Sequence, residues 1–334
     1  MQPPAGTLKF PLRVKFADED GVDEGGIAKE LFQLLMRQLF DPGYGMFVMH
    51  ETTRLYWFRS SSMDFRMEFE LVGTLLALAI YNGHTLELPF PLVIYRKLLG
   101  KEATFADLQD VHPEIHDSLA KLFDMGRDEV ASLQLTFQVE QEGEFGAANH
   151  LIDLVPDGGN CPVTSYNARE YADKYAQHLL STSIAPQFNA FREGFRKLCA
   201  GPGIARFRPE ELEQLVCGSR DLDFVELESA CHYEDGFTST SEVIRWFWEV
   251  AHSLPETAKR KLLGFITGSD RVPVDGLRNL KPPFTISRNG DHSERLPTAH
   301  TCFNHLLLPA YRNKEAVQKR LELAINNAEG FGLR

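Results

Sequence analysis

The spacing of apolar residues predicts that the first two thirds of the chain are mainly helical. Apolar side chains that recur three or four positions apart line one face of a helix. The segment at 68–82 is apolar on nearly every side, so we expect it at the centre of a core. Pro209 suits a first helical turn and Gly218 marks a helix end. Helices are expected at 27–39, 68–82, 110–126, 167–180, 184–198 and 209–217.

Alternation of apolar and polar residues predicts short strands between these helices. It is found at 8–16, at 133–139 and, as a hairpin, at 50–58.

The pattern changes after Gly218, where Ser219, Arg220 and Asp221 are small or polar and have little to bury. We therefore predict a linker at 219–221. The segment that follows mixes helical and strand patterns, with helices at 241–253, 255–268 and from Asn313, and strands at 284–287 and 303–308.

Composition narrows the class of protein. A chain of 334 residues suggests about two domains at ~150 residues each. The net charge of −12 and the short basic clusters argue against nucleic acid as a partner. The longest apolar run, 71–81, contains Gly73 and Thr74 and falls short of the ~20 residues of a membrane span.

Cysteine usage indicates a reducing compartment. The five cysteines form no CxxC pair, and their odd number argues against a disulfide framework. The N-terminal residues 1–4 also lack the basic and apolar regions of a signal peptide. A location in the cytoplasm or nucleus is the simplest expectation.

Metal and nucleotide sites are not indicated. His300, Cys302 and His305 would need a fourth zinc ligand that the local sequence does not offer. The chain has no GxxxxGK[ST] phosphate loop. We expect no metal and no cofactor.

Cys302 is the most informative residue for chemistry. It lies between Pro297 and Pro309 in a segment too short and too rich in β-branched and aromatic residues for a good helix. If the segment is extended, His300 and Cys302 point the same way, and a nearby imidazole favours the nucleophilic thiolate.

The alternative for each cysteine is a small buried hydrophobe. We accept it for Cys161, Cys199 and Cys217, and we treat Cys231, beside His232, as a lesser candidate nucleophile. For Cys302 the residues alone leave both interpretations open.

The segment around Cys302 resembles the active-site signature of the HECT-type ubiquitin ligases, and similar blocks follow in the family's order over nearly the whole chain. Within the family, the similarity is expected to be closest to the E6-associated-protein branch. The blocks are Gly21–Gly26 with Lys29, Glu30 and Phe32, then Phe207–Ser219, Thr267–Val274, Leu296–Asn304 and Leu306–Tyr311.

This resemblance implies a bilobal α+β domain. It would have a large, mainly helical N-terminal lobe (1–218), a short hinge at Ser219, Arg220 and Asp221, and a small α/β C-terminal lobe (222–334). Cys302 would take ubiquitin from a ubiquitin-conjugating enzyme by transthiolation, and a lysine of a protein substrate would then attack the thioester. No cofactor enters this reaction.

The resemblance also implies supporting residues around the acceptor cysteine. His300 and Thr301 match the residues beside it, and His300 is expected to shape the surroundings of the thiolate. Phe331, the fourth residue from the C-terminus, matches an aromatic residue that the family uses to order the active form. A frayed terminal aromatic is the alternative for Phe331.

A groove for the conjugating enzyme is implied within residues about 100–180. From spacing alone we would assign these residues to a core, since positions four apart suit any buried helix face. With the resemblance, an exposed apolar groove is expected instead. The groove residues are Ile115, Leu119, Met125, Leu133, Tyr171 and Tyr175.

The start of the chain departs from the family pattern, which has further helical turns before the segment at 8–16. The expectation is a fragment, or a protein that recruits substrate through another protein. Two further functions stay open: a truncated, non-catalytic module that binds conjugating enzymes or ubiquitin, and a cysteine hydrolase that pairs Cys302 with a distant histidine.

Overall fold

The computed structural model describes most of the chain, in seven ranges: 7–15, 26–60, 65–86, 88–141, 150–219, 221–291 and 294–327. Its contacts divide the chain into two compact units. The first comprises Met1–Lys9, Met36–Tyr81 and Leu88–Glu213, and the second comprises Phe10–Leu35, Asn82–Glu87 and Gln214–Arg334. The lobes predicted at 1–218 and 222–334 stay a prediction.

Helices dominate the described residues, and short strands accompany them. The helices are α1 (Gly26–Leu39), α2 (Arg66–Asn82), α3 (Leu92–Leu98), α4 (Leu108–Val111), α5 (Pro113–Lys121), α6 (Arg127–Ser132), α7 (Ala168–Gln177), α8 (Ala185–Arg196), α9 (Pro209–Cys217), α10 (Phe224–Ser229), α11 (Glu242–Ser253), α12 (Glu256–Thr267) and α13 (Lys314–Asn327). The strands are β1 (Phe47–Met49), β2 (Tyr56–Phe58), β3 (Gln138–Gln141), β4 (His150–Asp153), β5 (His232–Glu234), β6 (Thr285–Arg288), β7 (Thr298–His300) and β8 (His305–Leu308). The α+β class predicted from the sequence is confirmed.

The strands form two hairpins in the first unit and one sheet in the second. Strands β1 and β2 pair antiparallel, as do β3 and β4. The sheet has the order β5-β6-β8-β7, in which β7 runs antiparallel to β8 and the other pairs are parallel. The active-site candidate Cys302 lies in the connection between β7 and β8.

The first unit is built around helices α2 and α8, which touch backbone to backbone. A Cβ atom on Gly73 would lie 1.9 Å from the carbonyl oxygen of Phe191. A Cβ atom on Gly194 would likewise lie 1.9 Å from the carbonyl oxygen of Glu70. Each helix therefore uses a glycine to admit the backbone of the other.

Aromatic rings fill the space beside this crossing. Phe58 lies 5.6 Å from Phe191 and 5.5 Å from Phe69, measured between ring centroids, and Phe47 lies 5.2 Å from Phe58. These rings are almost completely buried. Burial of such large apolar side chains is the main favourable term in folding this unit.

The second unit packs helices on one face of its sheet. Ile286, Leu306 and Leu308 point from the sheet into a core that also holds Phe247 of α11 and Leu321 of α13. Because successive side chains of a strand point to opposite faces of the sheet, the alternate residues of these strands face away from this core. The polar side chains of this outer face include His300 and His305.

The long periodic segments were predicted well. The helices expected at 68–82, 184–198, 209–217, 241–253 and 255–268 are found as α2, α8, α9, α11 and α12. Gly218 and Gly268 end their helices in the left-handed conformation, at φ values of 82° and 78°.

The strand predicted at 8–16 is wrong over the described residues 7–15. Thr7–Lys9 forms a 3₁₀ turn and the rest has no regular structure. Pro11 has no N–H for a ladder, and the N–H of Leu12 donates to the Asn82 side chain at 2.8 Å instead of to a strand. Within 133–139, pairing with β4 begins only at Gln138.

Helix α1 is present, but of the apolar residues whose spacing predicted it (Ile27, Leu31, Leu34, Leu35 and Leu39) only Leu39 is buried. The buried residues are Ala28, Phe32, Met36 and Leu39, whereas Leu34 is 42% exposed. Because the run is apolar on two sides, periodicity alone did not select the correct side.

None of the helices in the described ranges has the length and hydrophobicity that a bilayer crossing requires.

The glycine crossing gives a direct test of the first unit. We expect Gly73→Ala to lower the free energy of unfolding by at least about 3 kcal/mol, because the new methyl group meets a backbone oxygen that no rotamer change can move. Chemical denaturation of the purified protein measures it. Gly201→Ala is the matched control, since a Cβ there meets nothing within 4 Å. Equal stability of the two variants would contradict the packing described.

Buried Lys97 gives a second test, through pH. Its ammonium donates to the carbonyl of Leu180 and to the Ser181 hydroxyl in the π-helical turn His178–Thr182. Burial, with a smaller effect of the Arg192 charge, lowers the pKa of Lys97 from 10.5 to about 8. Between pH 8 and pH 10.5, Lys97 is protonated in the unfolded chain and has lost this proton in the folded protein. The contribution of Lys97 to stability therefore rises with pH.

We therefore expect the difference in unfolding free energy between wild type and Lys97→Met to grow in favour of wild type as pH rises from 8 towards 10.5. Urea denaturation over this range measures the difference, and the paired comparison removes the titration of other groups. A pH-independent difference would mean that Lys97 keeps its ordinary pKa.

Candidate functional site

Cys302 lies in a tight turn between two strands. Strand β7 ends at His300, Thr301–Phe303 forms a 3₁₀ turn, and β8 begins at His305. The segment is therefore not extended through Cys302, and the condition under which His300 and Cys302 would point the same way is not met. Asn304 adopts a left-handed conformation at φ 49°, and its N–H donates to the Thr301 carbonyl at 3.3 Å, which closes the turn.

The turn is held from below by the side chain of Asn304, which is fully buried. Its Nδ2 donates to the Pro282 carbonyl at 2.6 Å, and its Oδ1 accepts from Lys29 Nζ at 2.7 Å. Lys29 Nζ also donates to the Thr301 carbonyl at 3.0 Å. Helix α1, whose residues up to Leu35 belong to the second unit, thus contacts the turn directly.

The Cys302 thiol is half-buried on this turn and faces α1. Its Sγ lies 4.0 Å from Gln33 Oε1, which accepts the S–H. Burial raises the pKa of Cys302, and the Glu30 charge raises it further, while the Thr301 side-chain hydrogen bond and the Lys29 charge lower it. The net shift raises the pKa of Cys302 and so favours the thiol over the thiolate.

Three of the other cysteines are less available than Cys302, two because of a strongly raised pKa and one because it is buried. Burial raises the pKa of Cys199 to about 11 and that of Cys231 to about 12. Cys217 is buried in α9, in agreement with the packing role predicted for it, and all five cysteines are free thiols.

Of the residues predicted to support Cys302, Thr301 contacts the site and His300 lies on the outer face of the sheet. Thr301 contacts the site through both its carbonyl and its side chain. His300 is exposed on β7, its ring 6.3 Å from that of His305, and makes no hydrogen bond to Cys302 within the described part of the chain. Phe331 lies outside the described residues.

A polar chain crosses the outer face of the sheet near the site. The Ser287 hydroxyl lies 2.7 Å from His305 Nε2 and 3.4 Å from a carboxylate oxygen of Glu234. Ser287 is fully buried by these neighbours. The sequence did not predict this row of hydrogen-bonded side chains, because its three members come from three separate strands.

The six predicted groove residues divide by burial, and all lie in the first unit. Leu119 and Tyr171 are 5% and 4% exposed, Leu133 is 45% exposed, and Ile115, Met125 and Tyr175 are half-buried. The ring of Tyr171 packs on Phe137 at 5.3 Å, and burial raises its pKa to about 12. The two buried residues therefore match the core alternative, and four of the six reach the surface.

The predicted hinge is partly described. Ser219 bridges to Val272 through two backbone hydrogen bonds of 2.6 and 2.9 Å, and its hydroxyl accepts from the Asp221 N–H at 3.0 Å. Arg220 lies outside the described residues. Ser219 is thus tied to the second unit in this structure.

Among the described residues, no group of three or more histidine, cysteine or acidic side chains is arranged to hold a metal ion.

The charges around Cys302 predict how its reactivity depends on pH. Because the Glu30 carboxylate raises the pKa of Cys302, Glu30→Gln should lower that pKa and move the pH profile of its alkylation by iodoacetamide to lower pH. Mass spectrometry of the Cys302 peptide measures the rate. Glu242→Gln, which removes an exposed carboxylate from the first turn of α11, should leave the profile unchanged. An unshifted profile in Glu30→Gln would contradict the electrostatic description.

Comparison with known proteins finds sequence similarity over nearly the whole chain. The model of the HECT-domain (ubiquitin-transferase) family matches residues 33–334. The chain is 44% identical over 340 residues to the probable E3 ubiquitin-protein ligase HECTD2 of Mus musculus, and 40% identical over 328 residues to the probable E3 ubiquitin-protein ligase HERC4 of Homo sapiens. It is 39% identical over 344 residues to the probable E3 ubiquitin-protein ligase HUL4 of Eremothecium gossypii.

These matches cover 98%, 97% and 98% of the chain but only 43%, 30% and 40% of the three relatives. The chain therefore spans less than half the length of these relatives. They belong to other branches of the family, so the predicted similarity to the E6-associated-protein branch is not supported.

Proposed function

The chain belongs to the HECT-domain (ubiquitin-transferase) family, and from this premise we propose that it is a ubiquitin-protein ligase with Cys302 as the covalent carrier. The observation that carries the proposal is the position of Cys302. Its half-buried thiol sits on a turn that hydrogen bonds from Asn304 and Lys29 hold in place.

In the first proposed step, the Cys302 thiolate attacks the thioester carbonyl of ubiquitin carried by a conjugating enzyme. A new C–S bond forms to Cys302, and the bond to the cysteine of the conjugating enzyme breaks with its electron pair on that sulfur. One thioester replaces another, so the step needs no external energy source and no cofactor. Thiolate reactivity alone is sufficient for it.

In the second proposed step, a substrate lysine attacks the thioester on Cys302. The C–N bond forms, the C–S bond breaks, and Cys302 leaves as a thiolate. The attacking nitrogen loses a proton to solvent. His300 is exposed and, among the described contacts, makes no hydrogen bond to Cys302, so this scheme assigns it no proton transfer.

The conjugating enzyme is proposed to dock on the first unit, at residues about 100–180. The four groove residues that reach the surface supply apolar and aromatic contact area. The bilobal division at 219–221 and a reducing cytoplasmic or nuclear location belong to the same proposal. The free thiols favour that location.

The test of the carrier role is a reaction of the purified chain with activating enzyme, ATP, labelled ubiquitin and a panel of loaded conjugating enzymes. We expect a ubiquitin adduct on a non-reducing gel that thiol reagents remove. Cys302→Ala should abolish it, and Cys231→Ala, a matched control in the second unit, should not.

Three outcomes would contradict the proposal. An adduct that persists in Cys302→Ala would place the carrier elsewhere. Absence of an adduct from folded wild type, with every conjugating enzyme shown to be loaded, would favour a non-catalytic module that only binds conjugating enzymes or ubiquitin. Cleavage of an isopeptide-linked chain would instead indicate a hydrolase.

The docking surface predicts a selective effect of one exposed leucine. Leu133→Glu should slow adduct formation at least roughly tenfold, because a charge in an apolar contact is costly to bury. Leu323→Glu makes the same change on α13, at a residue that is 43% exposed and lies in the second unit, outside residues 100–180. Rates of discharge of the loaded conjugating enzyme measure both variants, and equal rates would remove Leu133 from the interface.

A further inference from the structure

We infer that helix α1 supplies part of the catalytic site, with Gln33 as a residue that contacts the reacting sulfur and Lys29 as a positioning residue for the turn that carries it. This inference rests on the proposed function of Cys302. It adds two residues that neither spacing nor the local signature around Cys302 assigns to the chemistry.

The role of Lys29 follows from its two hydrogen bonds. Its ammonium donates to the Thr301 carbonyl at 3.0 Å and to Asn304 Oδ1 at 2.7 Å, so it ties both ends of the turn around Cys302. Hydrogen bonds from a charged donor are about twice as strong as neutral ones. The buried oxygen of Asn304 would lose its charged donor if Lys29 were apolar, at a desolvation cost to the turn.

The role of Gln33 follows from its place one helical turn after Lys29, on the same face of α1. Its Oε1 is 4.0 Å from Cys302 Sγ. Gly268 lies close to both the Gln33 amide and the turn. A Cβ atom built on Gly268 would lie 2.7 Å from Gln33 Nε2 and 3.3 Å from Thr301 Cβ. Gly268 therefore leaves the space that lets the Gln33 amide and the turn approach each other.

An amide suits a sulfur that alternates between thiol and thiolate. A glutamine side chain offers an oxygen acceptor and an NH₂ donor at the same distance from the backbone. In the resting state the oxygen accepts the S–H. When an amine attacks the thioester and the C–S bond breaks, a half-turn of the amide brings Nε2 to the sulfur, where it donates a hydrogen bond to the developing negative charge.

No proton or electron passes through Gln33 in this step. The electron pair of the C–S bond goes to Cys302, and the proton of the attacking nitrogen goes to solvent. The amide only stabilises the charge that appears on the leaving sulfur.

The test separates loading from discharge in single-turnover reactions. Wild type, Gln33→Leu and the matched control Gln38→Leu, an exposed glutamine on the same helix, are loaded with ubiquitin and chased with free lysine. We expect Gln33→Leu to load but to discharge roughly tenfold to a hundredfold more slowly, and the control to behave as wild type.

The role of Lys29 is tested through the pH dependence of Cys302 alkylation, which a loss of packing alone would not change. The charge of Lys29 lowers the pKa of Cys302, so Lys29→Met should shift the alkylation profile of Cys302 to higher pH and slow discharge. Lys29→Arg, which keeps a charged donor, should restore both in part. Thermal unfolding of each variant shows whether the fold is retained.

The outcomes distinguish this inference from the proposed function. If wild type loads and discharges ubiquitin while Gln33→Leu and Lys29→Met match it, the inference is overturned and the carrier role stands. If wild type never loads, the carrier role fails, and the alkylation profiles of the Lys29 variants still decide whether α1 controls the Cys302 thiol.

Discussion

The position of the Cys302 thiol depends on the burial of one amide side chain, that of Asn304. A buried polar group costs free energy unless its hydrogen bonds are satisfied, and Asn304 has partners for both its oxygen and its nitrogen. Its backbone is tied as well, because its carbonyl accepts from Thr285 at 3.1 Å on the neighbouring strand. With Asn304 fixed in this way, the two residues before it have little freedom.

This arrangement explains how Cys302, the proposed nucleophile, can lie on a turn and still be held in one place. Turns are usually mobile since few side chains anchor them, but here the anchor lies under the turn, in the core of the sheet. Rigid support of a reactive group is what chemistry at a carbonyl requires. The core of α11, α12 and α13 behind β6 and β8 supplies that support.

The sequence was a good guide where one local signal was strong. Helices such as α8 and α11 have a long apolar period and clear ends, and they were predicted within two residues. The wrong predictions concern segments whose packing partners are distant in the chain. The run at 8–16 alternates, but its described residues, up to 15, pair with no described strand. The face of α1 that becomes buried is chosen by what packs against it.

The sequence could name a candidate residue for the site but not the geometry around it. Cys302 could be nominated from its neighbours, but the left-handed Asn304 that bends the segment has no unambiguous local signal. The contacts of Lys29 and Gln33 with the turn span about 270 positions, beyond the reach of any periodicity. Leu119 and Tyr171 show the same limit, because spacing does not tell a buried helix face from a groove.

The crossing of α2 and α8 has one more consequence, for the alignment of the two helices along their axes. Gly73 faces the backbone of α8 and Gly194 faces the backbone of α2. Sliding either helix by one turn would bring a residue with a side chain against the opposing backbone, so only one axial position allows this close approach. The two glycines act together as a register mark that specifies which turns of the helices meet.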